Sequence, residues 1–213
     1  MSKFRDPVSG GIHLFSAILA LFGLGALLIL GQGDMLKELS LLVYGLSLIF
    51  MFSSSTIYHS VNTNPTALLR LRKLDHSSIY ILIAGSYTPL CLNFFSGFWR
   101  WGFLGIIWAF ALAGIIIKLF VINAPRWVTA GIYLLMGWLS VFAIKNMIAT
   151  MPVGALLWLL AGGLFYTVGA VIYITRKMDF VPNVFGFHEV WHIFVTLGAL
   201  CHFILIAVYI AAG

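Results

Sequence analysis

Seven runs of apolar residues, each about as long as a bilayer is thick, leave this chain few folds to choose from. They cover residues 12–30, 39–59, 76–95, 101–121, 127–147, 153–175 and 187–211, and a helix needs about 20 apolar residues to cross the hydrocarbon. Lipid offers backbone N–H and C=O groups no partners, so each run must satisfy its own hydrogen bonds as a helix. Turn formers separate the runs, among them Gly31, Gly33, Asp34, Asn62, Asn64, Pro65, Asn123, Pro125, Pro152, Pro182 and Asn183. They stop helices where water is available. The expected fold is all-α, one seven-helix transmembrane domain over residues 1–213, with no internal repeat and no low-complexity tract.

Composition agrees. The chain is 62% hydrophobic and 8% charged, whereas soluble chains carry about a quarter charged residues. A net charge of +6 would point to nucleic acid in a soluble protein. Here the basic residues sit at the ends of apolar runs, so they read as topology signals and membrane lipids become the expected partner, with no nucleic acid. Lys3, Arg5, Arg70, Arg72, Lys73, Lys118, Arg126, Arg176 and Lys177 fall on one side of a seven-span fold; Lys37, Arg100 and Lys145 fall on the other. By the positive-inside rule the N-terminus is cytoplasmic and the C-terminus outside. Arg70, Arg72 and Lys73 are cytoplasmic anchors that also favour anionic headgroups. The first run is too long for a signal-peptide core and is read as a retained span. Cys91 and Cys201 lie within apolar runs and read as buried small residues. Ala109 with Ala113, and Gly162 with Tyr166 and Gly169, read as close-packing faces. Trp99, Trp101 and Trp127 mark interfacial span ends.

Ionisable groups inside spans are costly, so those present are functional candidates. His59 ends the second run, Asp75 and His76 open the third, His188, Glu189 and His192 open the seventh, and His13 opens the first. All fall at one depth. His188 and His192 are one helical turn apart on one face, which suits two imidazoles on one metal ion. His59 is the best third ligand, with Ser55 one turn deeper on the same face. Three histidine nitrogens leave one tetrahedral position of zinc open for water, the arrangement of a catalytic site, and Asp75 is placed to orient or deprotonate that water. The alternative is a set of hydrogen-bonded interfacial histidines without metal. Residues 188–192 also read His-Glu-x-x-His, the pattern of a metalloprotease in which the glutamate is the base, but that reading leaves Ser55 and His59 without a task. His202 lies about 15 Å beyond His192 along the helix, too far for the same ion. It is expected to make a buried interhelical hydrogen bond, or else to line a polar channel. His76 reads as a support of the site or an interfacial residue, and His13 as either.

At these residues the chain resembles the hemolysin III family, the bacterial branch of the progestin and adipoQ receptor superfamily. The resemblance spans essentially the whole sequence. It rests on Ser55-x-x-x-His59, on Leu74-Asp75-His76-Ser77-Ser78-Ile79-Tyr80 running on to Ala84-Gly85-Ser86-Tyr87-Thr88-Pro89, and on His188-x-x-x-His192 followed by Cys201-His202-Phe203. The family's leading motif, Glu-x-x-Asn-x-x-x-His, stands here as Asp6-x-x-Ser9-x-x-x-His13. The resemblance implies seven helices with a cytoplasmic N-terminus, in a bacterial inner membrane, and zinc held by His59, His188 and His192 with Ser55 and Asp75 beside it. It also implies a link to alkaline ceramidases, which hydrolyse lipid amides, while Glu189 lies outside the family's motif.

The leading expectation is therefore a zinc-dependent hydrolase of a lipid amide or ester, serving membrane lipid homeostasis, with Asp75 and Ser55 as catalytic residues and a lipid amide or fatty acid as ligand. A non-enzymatic sensor of membrane state with structural zinc is the second reading, and a pore-forming haemolysin or transporter the third. An open metal position beside a lipid-wide cavity favours the first; a saturated metal favours the second.

Overall fold

Every apolar run of the sequence is helical in the computed structural model, which describes residues 5–181 and 184–213. The helices are α1 (Pro7–Leu30), α2 (Met35–Ser60), α3 (Pro65–Phe94), α4 (Gly97–Phe120), α5 (Arg126–Gly137), α6 (Ile144–Thr150), α7 (Val153–Thr175) and α8 (Phe187–Ile206). A 3-10 segment, Trp138–Ala143, joins α5 to α6, and a π turn, Ala207–Ala211, extends α8. Among the described residues the one β feature is an isolated bridge between Val181 and Phe185. With α5 to α6 taken as a single span, six helical spans are long and apolar enough to cross a bilayer. The remaining helix, α3, falls short because Arg70, Arg72, Lys73 and Asp75 occupy its first half and Tyr80, Ser86, Tyr87, Thr88 and Asn93 interrupt its second. The chain is an all-helical, multi-pass membrane protein.

Local chemistry sets the helix starts. Asp34 accepts hydrogen bonds from the backbone N–H groups of Leu36 and Lys37, and Asn64 accepts from Ala67 with Pro65 in the first turn, the side-chain capping that satisfies orphan donors. The Asn64–Pro65 start corrects one expectation. Helix α3 begins well before residue 76, so Asp75 stands inside the helix rather than at its opening. Hydropathy located the apolar part of this helix, while its cap lies outside the apolar run.

The fifth run departs more. It is expected as one continuous helix over residues 127–147, yet it tightens into a 3-10 segment after Gly137. The Tyr87 hydroxyl bridges the break, donating to the Gly137 carbonyl at 2.6 Å and accepting from the Ser140 N–H at 2.8 Å. Groups released from the regular ladder thus find a partner in the bundle, the condition for irregular backbone at membrane depth.

Helix α1 packs on α2, α2 on α3, α3 on α4 and α7 on α8, and α1 meets α8 to close one side. Between helices in lipid the attraction comes from close packing rather than from exclusion of water. Small residues permit it: the ring of Tyr80 lies against Gly114, that of Tyr166 against Gly198, and His202 against Gly162. Gly162 and Gly169 are buried in the α7 face toward α8, as expected. Ala109 and Ala113 are not in such a face. Both are exposed on α4, whose buried positions are Ala111 and Gly114, so that pair lies on the lipid side. Trp101 and Trp127 are exposed at span ends, and Cys91 and Cys201 are buried and free. Lys118 is buried in α4 with its Nζ donating to Thr129, so it is no loose loop charge.

Candidate metal centre

Two helices bring the expected ligands to one point. His59 closes α2, and His188 and His192 lie one turn apart at the start of α8. The Nε2 atoms of His188 and His192 are 3.1 Å apart and those of His188 and His59 are 3.5 Å apart. One ligand atom from each residue lies within 4.8 Å of the other two. Nitrogens bonded to a tetrahedral zinc at about 2.0–2.1 Å stand about 3.3 Å from one another, so the spacing suits an ion of that size. His59 and His192 are buried and His188 is half-buried. This triad could hold a metal ion.

The outward nitrogens are engaged as well. Nδ1 of His59 lies 3.0 Å from Oδ2 of Asp6, and the Asp6 backbone N–H donates to the His59 carbonyl at 2.9 Å. The same carboxylate oxygen accepts from Arg5 at 3.0 Å. The hydrogen bond with His59, helped by the Arg5 guanidinium, holds the Asp6 carboxyl down to about 2 against the opposing effect of its partial burial. A charged Asp6 fixes the His59 tautomer, proton on Nδ1 and lone pair on Nε2, the arrangement that orients a metal ligand. Nδ1 of His192 lies 3.1 Å from Nδ1 of His13, so a His192 that presents Nε2 to a metal has a buried imidazole to accept its other proton.

Glu189 faces elsewhere. Its Oε1 accepts from the Ser9 hydroxyl at 2.8 Å and its Oε2 from the Gly186 N–H at 2.9 Å. Both oxygens are spent on capping α8 and tying it to α1, so the glutamate of the His-Glu-x-x-His pattern is not offered to the triad as a base.

A cavity of about 600 Å³ opens beside the triad. Ser55, Asp75, His13 and all three triad histidines line one end, and Ser55 lies within hydrogen-bonding reach of the Asp75 carboxylate. The lining then runs past Tyr87, Leu90, Met147, Leu156 and Leu205, and is mainly apolar. His202 borders the deeper part, its ring edge-on to Tyr166 with centroids 5.5 Å apart and packed against Gly162, both on α7. The contact is interhelical, but the buried Nε2 meets no hydrogen-bond partner among the described residues, so the buried bond expected of it is not made there. His76 lines the cavity near the triad, and its carbonyl accepts from Tyr133 at 2.9 Å.

A haemolysin-III-related family model matches residues 1–203. The chain belongs to that family. Among haemolysin III relatives, the hemolysin-3 of Bacillus cereus is 36% identical over 214 residues, covering 99% of this chain and 94% of that protein. The hemolysin-3 homolog of Bacillus subtilis (strain 168) is 32% identical over 212 residues, covering 98% and 96%. Similarity extends to the human monocyte to macrophage differentiation factor, 28% identical over 206 residues, covering 93% of this chain and 81% of that protein.

In this haemolysin III chain the spacing of the histidines pointed to the triad, whereas the partners of the triad's outward nitrogens were not assigned. A signal existed. Asp6, Ser9 and His13 stand at i, i+3 and i+7, one face of a helix, and that face is the one turned to His59 and α8. Tyr87, the bridge across the broken helix, carries no mark in the sequence beyond its place before Thr88 and Pro89.

Proposed function

We propose that the chain is a zinc-dependent hydrolase of a lipid amide or ester, crossing a bacterial inner membrane seven times with its N-terminus in the cytoplasm. One observation carries this reading: the histidine triad, Ser55 and Asp75 all border the same end of a mainly apolar cavity. Zinc, when bound, would polarise an acyl carbonyl and activate water for attack. The chain's own residues set the rest. Asp6 and His13 hold the outward nitrogens of His59 and His192, so that the Nε2 lone pairs converge. Asp75 accepts the proton that water gives up, and Ser55 orients its carboxylate. The apolar lining holds the acyl chain and keeps bulk water out. Nine basic residues against three support the orientation, and α3 counts as a span because α2 and α4 both pack on it.

Zinc content and hydrolysis of a panel of long-chain lipid amides, measured on the same folded sample, test the reading. About one zinc per chain is expected. Asp75→Asn keeps the zinc and loses hydrolysis by about a hundredfold or more. Metal-free protein after purification without chelator overturns the zinc assignment, and undiminished hydrolysis in Asp75→Asn removes that residue from catalysis. If the unmodified protein hydrolyses no member of the panel, a sensor with structural zinc replaces the enzyme.

A further inference from the structure

Two arginines at the histidine end of the cavity form no ion pair among the described residues. Arg5, Arg72 and Arg126 all line that end. Arg5 is committed: it pairs with Asp6 and stacks over the Tyr58 ring at 4.1 Å. Arg72 donates to Asn123 at 3.4 Å and is close enough to Asp75 for their charges to attract, without a hydrogen bond to it among the described residues. Arg126 lies over the rings of Tyr173 and Phe187 at 5.3 and 5.0 Å, and among the described residues its buried Nη1 meets no acceptor. Both guanidiniums lie near the Tyr173 side chain. The carboxylates that line the cavity are Asp6, held by Arg5 and His59, and Asp75, beside Ser55. A guanidinium stays charged at any ordinary pH, and a buried donor without an acceptor is costly. The stacking fixes where the Arg126 fork points before anything binds, which lowers the ordering cost of binding.

We propose that Arg72 and Arg126 form a site for the phosphate headgroup of a lipid whose acyl chain occupies the apolar part of the cavity. A phosphate offers oxygens to both forks at once, where a carboxylate would be taken up by one. The proposal rests on reading the cavity as an acyl-chain site, and it makes the substrate of the proposed hydrolase an anionic lipid. It does not require that hydrolysis occur.

Binding of hexadecyl phosphate, hexadecanol and inorganic phosphate to the purified full chain in nonionic detergent tests it. Hexadecyl phosphate should bind about tenfold or more tighter than hexadecanol, since hydrogen bonds to charged groups are the stronger kind. Inorganic phosphate should bind weakest. The R72Q/R126Q double variant should bring hexadecyl phosphate to within about threefold of hexadecanol. R72K/R126K should keep part of the preference, because charge remains while the fork is lost, and it separates loss of the site from loss of the fold. Arg70→Gln, on the exposed side of α3, should change nothing. A preference that survives R72Q/R126Q overturns the site. Inorganic phosphate binding as tightly as hexadecyl phosphate overturns the lipid assignment in favour of a free anion. A preference lost in His188→Ala but kept in the arginine variants overturns it by moving the anion to the metal. Protein that hydrolyses nothing yet prefers hexadecyl phosphate upholds the site and removes only the enzymatic reading.

Discussion

Single side chains decide how well the triad is oriented before any metal arrives, and Asp6 is the clearest case. Its carboxylate accepts a hydrogen bond from the Nδ1–H of His59 and its backbone N–H donates to the His59 carbonyl, so the ring has one orientation and one tautomer. Asp6→Asn removes the charge and leaves a side chain that can also present N–H to Nδ1. Removing such an outer partner costs metal sites about 10–100-fold in affinity, and that loss is expected here in zinc competition with a chelator of known affinity. His202→Ala, by contrast, should leave zinc content unchanged, because His202 lies outside the triad, packed against Tyr166 and Gly162 of α7. His59→Ala, His188→Ala and His192→Ala should each abolish it, and equal loss at all four positions would merge the two groups that the geometry separates. The triad was legible because i, i+4 histidines at a helix start leave little else to explain them. Asp6 and Ser9 were legible only as a motif, since a short polar residue before a helix has many ordinary uses until its partner across the bundle is known.

Among the elements, the helix over α5, the 3-10 segment and α6 sets the shape of the cavity. Gly137, Trp138, Ser140 and Val141 all border it, so the wall nearest α7 is the broken stretch of backbone rather than a regular helix. The stretch Trp138–Ala143 is as apolar as its neighbours, and periodicity therefore gave no warning of the break. A single hydroxyl on another helix bridges it. Tyr87→Phe leaves the Gly137 carbonyl and the Ser140 N–H without that partner and should cost about 1–3 kcal/mol, the range for a buried polar group left unsatisfied. A lowered thermal unfolding midpoint in detergent, with zinc content unchanged, is the expected reading. An unchanged midpoint would mean that the break is stable without Tyr87. The start of α3 was missed for a related reason. Its cap is polar and its first turns are charged, so the apolar run located only the part of the helix that lipid requires.

For the molecule as a whole, the orientation and the metal make separate predictions. Reporter fusions at Lys177 and after Gly213 should place the first in the cytoplasm and the second outside; both on one side would break the seven-span count. The metal prediction follows from chain connectivity. His59 and His188 are 129 positions apart in sequence, yet an ion between them would join the end of α2 to the start of α8. A ligand that binds only the folded state stabilises it by mass action, about 2.7 kcal/mol when its free concentration is a hundred times its dissociation constant. Stripping the metal with a chelator should therefore lower the unfolding midpoint, and added zinc should restore it. Asp75→Asn should show the same shift, because Asp75 lies beside the triad rather than in it. His188→Ala should start from the lowered midpoint and ignore the chelator, since the tie is already cut. If zinc is demonstrably removed and the midpoint stays where it was, the ion does not clamp the bundle. The contacts of α1 with both α2 and α8 would then suffice to hold those two helices together, leaving chemistry at the cavity as the one task for a metal at this site.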